Sequence, residues 1–90
     1  MANAYLFTPK SMNAQQYDEC IRRLEEAGAG SPPGRLFHTC YGTGNQLRVF
    51  DIWESQETFE AFGPTLMPIL QALDVEPGIP AVIPVYNTLP

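Results

Sequence analysis

The order of polar and apolar positions changes period once within the stretch LRVFDIWESQETFEAFGPTLMPILQAL, from Leu47 to Leu73. Over Leu47–Glu54 the side chains alternate: Val49 and Trp53 flank Asp51 on one face, and Phe50 and Ile52 occupy the other. A strand that is apolar on both faces is buried on both faces. Ser55 then offers a hydroxyl to cap a helix, and Glu57 suits the positive end of its dipole. Phe59, Phe62, Leu66, Ile69, Leu70 and Leu73 follow at helical spacing, which predicts an amphipathic helix. Pro64 and Pro68 fall inside it, so a kink or restart is expected near Pro64.

The remaining elements follow from the same rules. Ala4–Thr8 (AYLFT) is short and β-prone, and Pro9 closes it. Asn13 caps a helix from Asn13 to Ala27, with Gln16 placed for a capping box and Met12 and Tyr17 spaced as a hydrophobic staple. Tyr17, Cys20, Ile21 and Leu24 form its apolar face, and Gly28 ends it. GAGSPPG, from Gly28 to Gly34, is a loop, since it is rich in residues that disrupt regular structure. Arg35–Tyr41 (RLFHTCY) is a second strand. It pairs antiparallel with the third through Gly42-Thr43-Gly44-Asn45, residues that tolerate positive φ. DVEPGIP is a loop. Ala81–Asn87 is a last strand, placed at a sheet edge because Pro80 and Pro84 remove donors along one side.

The order β-α-β-β-α-β predicts an α+β, ferredoxin-like single domain over residues 1–90, a four-stranded antiparallel sheet carrying two helices on one face. Even hairpin spacing puts Leu36, His38 and Cys40 on the face of Val49, Asp51 and Trp53, and Phe37 and Tyr41 with Phe50 and Ile52. The greasier second set is expected to meet the helices. The other face, with Val49, Trp53, Leu36 and Val82, then needs a cover that the chain lacks, and a face-to-face homodimer supplies it.

Composition narrows the partners. Charged residues are only 17% of the chain, little to coat a monomer, and the net charge of −5 disfavours nucleic acid and anionic membranes. No stretch approaches membrane-spanning length, and the first ten residues lack the pattern of a signal peptide, so a cytoplasmic protein is expected. Cys20 and Cys40 stand apart, without a redox or zinc spacing, and read as buried apolar side chains; no metal is expected. Gly28-Ala29-Gly30 ends a helix rather than starting one, so nucleotide binding is not expected.

Several runs carry a resemblance: VFDIWESQETFEAF followed by LMPIL, the strand GRLFHTCYG, and the closing VYN. With the element order, they make the chain resemble the dimeric α+β barrel proteins that include antibiotic-biosynthesis-monooxygenase-like domains. The resemblance implies a homodimer, and either a cofactor-independent monooxygenase or isomerase or a non-catalytic ligand-binding or assembly protein. Members that oxidise aromatic polyketides or degrade haem typically use an Asn at the first strand and a Trp on the third, with a His on the second helix for haem. Trp53 matches the tryptophan, Asn3 lies just before the predicted strand, and the second helix has no histidine, so no haem or other cofactor is expected.

Candidate chemistry centres on His38 and Asp51, the one histidine and the one carboxylate at a strand centre, expected to be neighbours facing the barrel interior. A buried carboxylate must be paired or hydrogen-bonded. The pair reads either as an Asp-oriented general base in an apolar cavity lined by Tyr5 and Trp53, or as a clamp that fixes strand register. Tyr86, an amphipathic ring at a strand end, is a further candidate for the wall of a substrate pocket.

Overall fold

The computed structural model describes residues 2–90. Its elements are β1 (Asn3–Phe7), α1 (Ala14–Glu26), β2 (Arg35–Tyr41), β3 (Arg48–Trp53), α2 (Gln56–Ala72) and β4 (Ala81–Pro84). The four strands form one antiparallel sheet in the order β2-β3-β1-β4, so β4 is an edge strand, as its prolines require. It ends at Pro84, three residues short of the expected end, because β1 begins at Asn3 and only Val85 finds a further partner, the carbonyl of Ala2.

The helix starts follow the capping signals. Asn13 accepts from the Gln16 amide while Gln16 accepts from the Asn13 amide, both at 2.9 Å, a complete capping box. Asn13→Ala is expected to cost about 0.5–2 kcal/mol, read as a lower denaturation midpoint at unchanged slope. Ser55 caps α2 through the Thr58 amide. No restart occurs at Pro64, since α2 is continuous through both prolines. Glu60, whose carbonyl loses its i+4 donor to Pro64, is exposed, so water can satisfy it. The end of α2 is also built: the amide of Val75 reaches the Leu70 carbonyl and that of Asp74 the Gln71 carbonyl, with Asp74 at φ 58 where glycine is usual.

Both helices cover one face of the sheet, but not the expected one. The register sets Tyr5 against Asp51, Phe7 against Val49, His38 against Asp51 and Cys40 against Val49. These residues lie under the helices, where Tyr5, Met12, Cys20, Leu24, Trp53, Phe62, Leu70 and Val75 form the buried core. The set with Phe37, Tyr41, Phe50 and Ile52 faces away, and Phe37, Tyr41 and Ile83 are 48%, 44% and 53% exposed. The reason is the polar groups. Asp51 and its donors His38 and Trp53 share one face, and there the helices add partners for the remaining polar groups, Tyr17 for His38 and Gln56 for Tyr5, whereas the opposite face offers them mainly apolar side chains. Val49 and Trp53 therefore need no partner chain, and the uncovered apolar surface belongs to the opposite set.

The β2–β3 loop keeps strand parity because six residues, 42–47, lie between the paired Tyr41 and Arg48. Gly42 turns at φ 112, and a Cβ there would come within 2.5 Å of the Gln46 carbonyl, so the turn requires glycine. Parity breaks at the other end of β2. Arg35 opposes Trp53 and Phe37 opposes Ile52, which leaves Leu36 as an extra residue at a bulge, 60% exposed.

Candidate functional site

The bulge decides what enters the site. Uninterrupted alternation would place Leu36 on the His38 face and Arg35 on the other; the extra residue instead brings Arg35 to the Trp53 and His38 side. Arg35 and His38 then line one cavity between sheet and helices. The cavity measures about 80 Å³, and Tyr17, Cys20, Val49, Asp51 and Phe62 are among the residues around it.

Four side chains form a continuous hydrogen-bonded chain along its wall. Tyr17 Oη lies 2.6 Å from His38 Nε2, His38 Nδ1 lies 2.6 Å from Asp51 Oδ1, and Trp53 Nε1 donates to Asp51 Oδ2 at 3.2 Å. Asp51 is 6% exposed and Trp53 fully buried, so the carboxylate has lost its water and gained two donors. The directions follow from the groups available: Nδ1–H donates to the carboxylate, and the free Nε2 lone pair accepts the Tyr17 hydroxyl. No buried side-chain nitrogen or oxygen among the described residues lacks a partner.

Tyr17 was not a site candidate from sequence. It reads there as one more ring on the apolar face of α1, yet it is the one hydroxyl on that face, and that is the signal that could have singled it out. Burial pushes its phenol up to about 12, helped by the neighbouring Cys40 thiol and opposed by the charge of Arg35. An acid whose folded pKa is raised binds its proton more tightly when folded. Its contribution to stability is complete below the unfolded value of 10.0 and is lost as pH rises toward about 12. A phenolate absorbance step near pH 12 that vanishes in Tyr17→Phe is the expected observation; a step unaffected by the substitution would deny the burial of this hydroxyl.

The other sequence candidates fall in three places. Tyr5 is fully buried behind the cavity, its hydroxyl donating to Gln56 Oε1 at 2.6 Å and its ring stacked on Phe59 at 4.2 Å. Trp53 sits with it, edge-on to Phe59 and tilted against Phe62, so both support the wall rather than line it. Tyr86 is fully exposed beyond the end of β4 and takes no part in the cavity, because the strand that was to carry it stops at Pro84. Asn3 is the first residue of β1, opposite Trp53. Cys20 is buried and Cys40 only half-buried, and burial raises both thiols. No group of three or more His, Cys, Asp and Glu side chains among the described residues could hold a metal ion, and no helix is long and apolar enough to cross a membrane.

No protein-family model matches the chain, and no curated protein matches it either. Solved structures do. A protein of Chloroflexus aurantiacus J-10-fl, provisionally assigned as an antibiotic biosynthesis monooxygenase, aligns over 98% of this chain and 97% of its own with a TM-score of 0.66 and 18% identity. SnoaB of Streptomyces nogalater, a cofactor-independent oxygenase, aligns over 99% of this chain and 97% of its own, again at 0.66, with 17% identity. An asparagine-to-alanine variant of SnoaB gives 0.60 at 19% identity over 99% and 95% of the two chains. The fold is therefore the one that the sequence resemblance implied, a ferredoxin-like α+β sheet shared with these structures.

Proposed function

We propose that this protein is a cofactor-independent oxygenase, with His38 as general base and Asp51 as its orienting partner, acting on a small apolar aromatic or carbonyl compound. The observation that carries this reading is the Tyr17–His38–Asp51 chain in the wall of a largely apolar cavity, braced from behind by Trp53. SnoaB, which shares the fold, is a cofactor-independent oxygenase, and the reaction class is carried over from it by analogy of fold.

In this reading the first step is a proton transfer to His38, once the Tyr17 hydroxyl has moved off Nε2. Nε2 points away from Asp51 and takes a proton from an acidic C–H or O–H of the substrate, while the carboxylate on Nδ1 stabilises the imidazolium. Trp53 holds the second carboxylate oxygen and so fixes the plane of the pair. The substrate anion bonds through carbon to dioxygen, and the imidazolium returns the proton to the peroxide. Loss of water then breaks the O–O bond and leaves a carbonyl: CH2 and O2 become C=O and H2O. An oxygen electrode with a panel of aromatic ketones and phenols tests this. Consumption abolished in His38→Ala supports the base; consumption unaffected by it excludes His38 from the chemistry.

The size of the cavity favours a second reading, a ligand-binding or assembly protein of the same shape. The cavity of about 80 Å³ is well below the roughly 300–1,000 Å³ of ordinary ligand pockets. It has room for dioxygen or a few waters at about 30 Å³ each, and a ring needs a side chain to move. Absence of oxygen consumption across the panel would favour this reading.

The chain is further proposed to act in the cytoplasm as one domain per subunit of a homodimer, joined through the uncovered face with Phe37, Tyr41, Phe50 and Ile83. Light scattering is expected to give twice the 10.0 kDa chain mass, and Phe37→Glu to shift it toward one chain. A mass of one chain at micromolar concentration in the unmodified protein would exclude this dimer.

A further inference from the structure

A phenol and an imidazole meet here in the arrangement that lets a tyrosine give up an electron. His38 Nε2 accepts the Tyr17 hydroxyl at 2.6 Å, and the two rings are parallel within 4° with their centroids 6.0 Å apart. The hydroxyl therefore meets the edge of the imidazole, where the nitrogen lone pair lies in the ring plane. On the far side Asp51 holds Nδ1 at 2.6 Å, so a proton arriving at Nε2 makes an imidazolium whose counter-charge is already in place.

The other three tyrosines lack such a base. Tyr5 is fully buried and donates to the amide oxygen of Gln56, which does not take up a proton, while Tyr41 and Tyr86 are exposed to water. The difference matters because a phenol that loses an electron becomes so strong an acid that the electron leaves readily only where a base takes the proton in the same step. Burial selects that route. It pushes the Tyr17 phenol up to about 12, which opposes a phenolate, but a phenoxyl radical carries no charge and burial does not penalise it. Tyr17 and His38 are both half-buried, so an oxidant at the surface beside α1 comes close to the ring.

We propose that Tyr17 is a redox-active tyrosine that, with His38 as its proton acceptor, quenches organic peroxyl radicals. The Tyr17 O–H bond breaks, its proton passes to His38 Nε2, and one electron passes to the peroxyl radical, which becomes a peroxide anion and takes a proton from water. Tyr17 is left as a neutral phenoxyl. One electron from an ascorbate-like reductant, with the proton returning from Nε2, restores the phenol. This role uses the contact as it stands, whereas oxygen turnover needs Tyr17 to leave Nε2, so it does not rest on the oxygenase reading.

Flash oxidation by photogenerated ruthenium(III) tris-bipyridine tests the assignment, in a Tyr41→Phe/Tyr86→Phe parent that removes the exposed phenols. A neutral phenoxyl is expected, recognised by its narrow absorption band and by electron paramagnetic resonance, which separate it from an indolyl radical of Trp53. Tyr17→Phe should abolish it. His38→Gln, which keeps a hydrogen-bonding side chain but no basic nitrogen, should slow its formation by about tenfold or more, the effect of one charge-assisted hydrogen bond. In the parent, formation should be slower in heavy water than in light water, since the proton moves with the electron. A water-soluble azo initiator, which yields peroxyl radicals in air, should raise the same signal. If His38→Gln does not fold, the heavy-water comparison still decides. No phenoxyl with either oxidant, a phenoxyl that survives Tyr17→Phe, or equal rates in the two waters would each overturn the proposal, and a signal with ruthenium(III) but none with the initiator would overturn its assignment to peroxyl radicals. No substrate is oxygenated in these measurements, so their failure leaves the oxygenase reading standing, and failure of that reading leaves this one.

Discussion

Trp53→Ala is expected to cost about 3–5 kcal/mol, as for a large aromatic removed from a packed core. The indole is fully buried at the end of β3, with Phe59 and Phe62 against it and Tyr5 stacked on the same Phe59. Cutting it to a methyl opens a hole beside the rings of Phe59, Phe62 and Tyr5 and also removes a donor from a buried carboxylate. A domain of this length has only about 5–15 kcal/mol of stability in total, so the variant should populate unfolded chain under mild conditions. Trp53→Phe separates the two losses. It keeps most of the packing and deletes the N–H, and should cost about 1–3 kcal/mol. Urea denaturation at fixed protein concentration reads both, since any dimer ties apparent stability to concentration. Equal midpoints for wild type and Trp53→Ala would mean that the β3 end is not packed as described.

Asp51→Asn is expected to preserve shape and remove function. The carboxylate accepts from His38 Nδ1 and Trp53 Nε1 together, and an amide offers one acceptor and one donor where two acceptors are needed. One N–H must be left facing another, at a cost of about 1–3 kcal/mol. The imidazole relieves this by moving its proton to Nε2, which closes the lone pair that would act as base and confronts the Tyr17 hydroxyl with a donor. Turnover should fall by about 10²–10⁴, the scale of general-base catalysis, and ring-nitrogen NMR should record the change of tautomer. A variant that keeps wild-type turnover would leave the pair a structural clamp. A tautomer unmoved by the substitution would break the link between the two residues altogether.

How much of this could be read beforehand depends on which physical rule governs each residue. The opposition of His38 and Asp51 follows from two strands and an even loop, all local features. The helix starts at Asn13 and Ser55 follow from side chains that reach only three residues. The face that the helices choose does not, because both sides of β3 are apolar and the choice rests on hydroxyl and amide groups carried by distant elements, Tyr17 on α1 and Gln56 on α2. Arg35 was hidden for a different reason. Alternation predicts the phase of a strand only while the ladder is regular, and the extra residue at Leu36 reverses it over the last turn of the chain before the site. Tyr86 failed because a strand lasts only as long as its neighbour, and β1 had run out.

Trp53, the one tryptophan of the chain, also gives this protein an intrinsic optical signal. Sealed from water among aromatic rings, the indole should emit toward the blue, and its N–H touches the carboxylate that holds the imidazole. Emission is therefore wired to the protonation and occupancy of the candidate base, with no competing indole to blur it. A compound that enters the cavity, or a proton that reaches His38, should register as a change in colour or yield without any label attached.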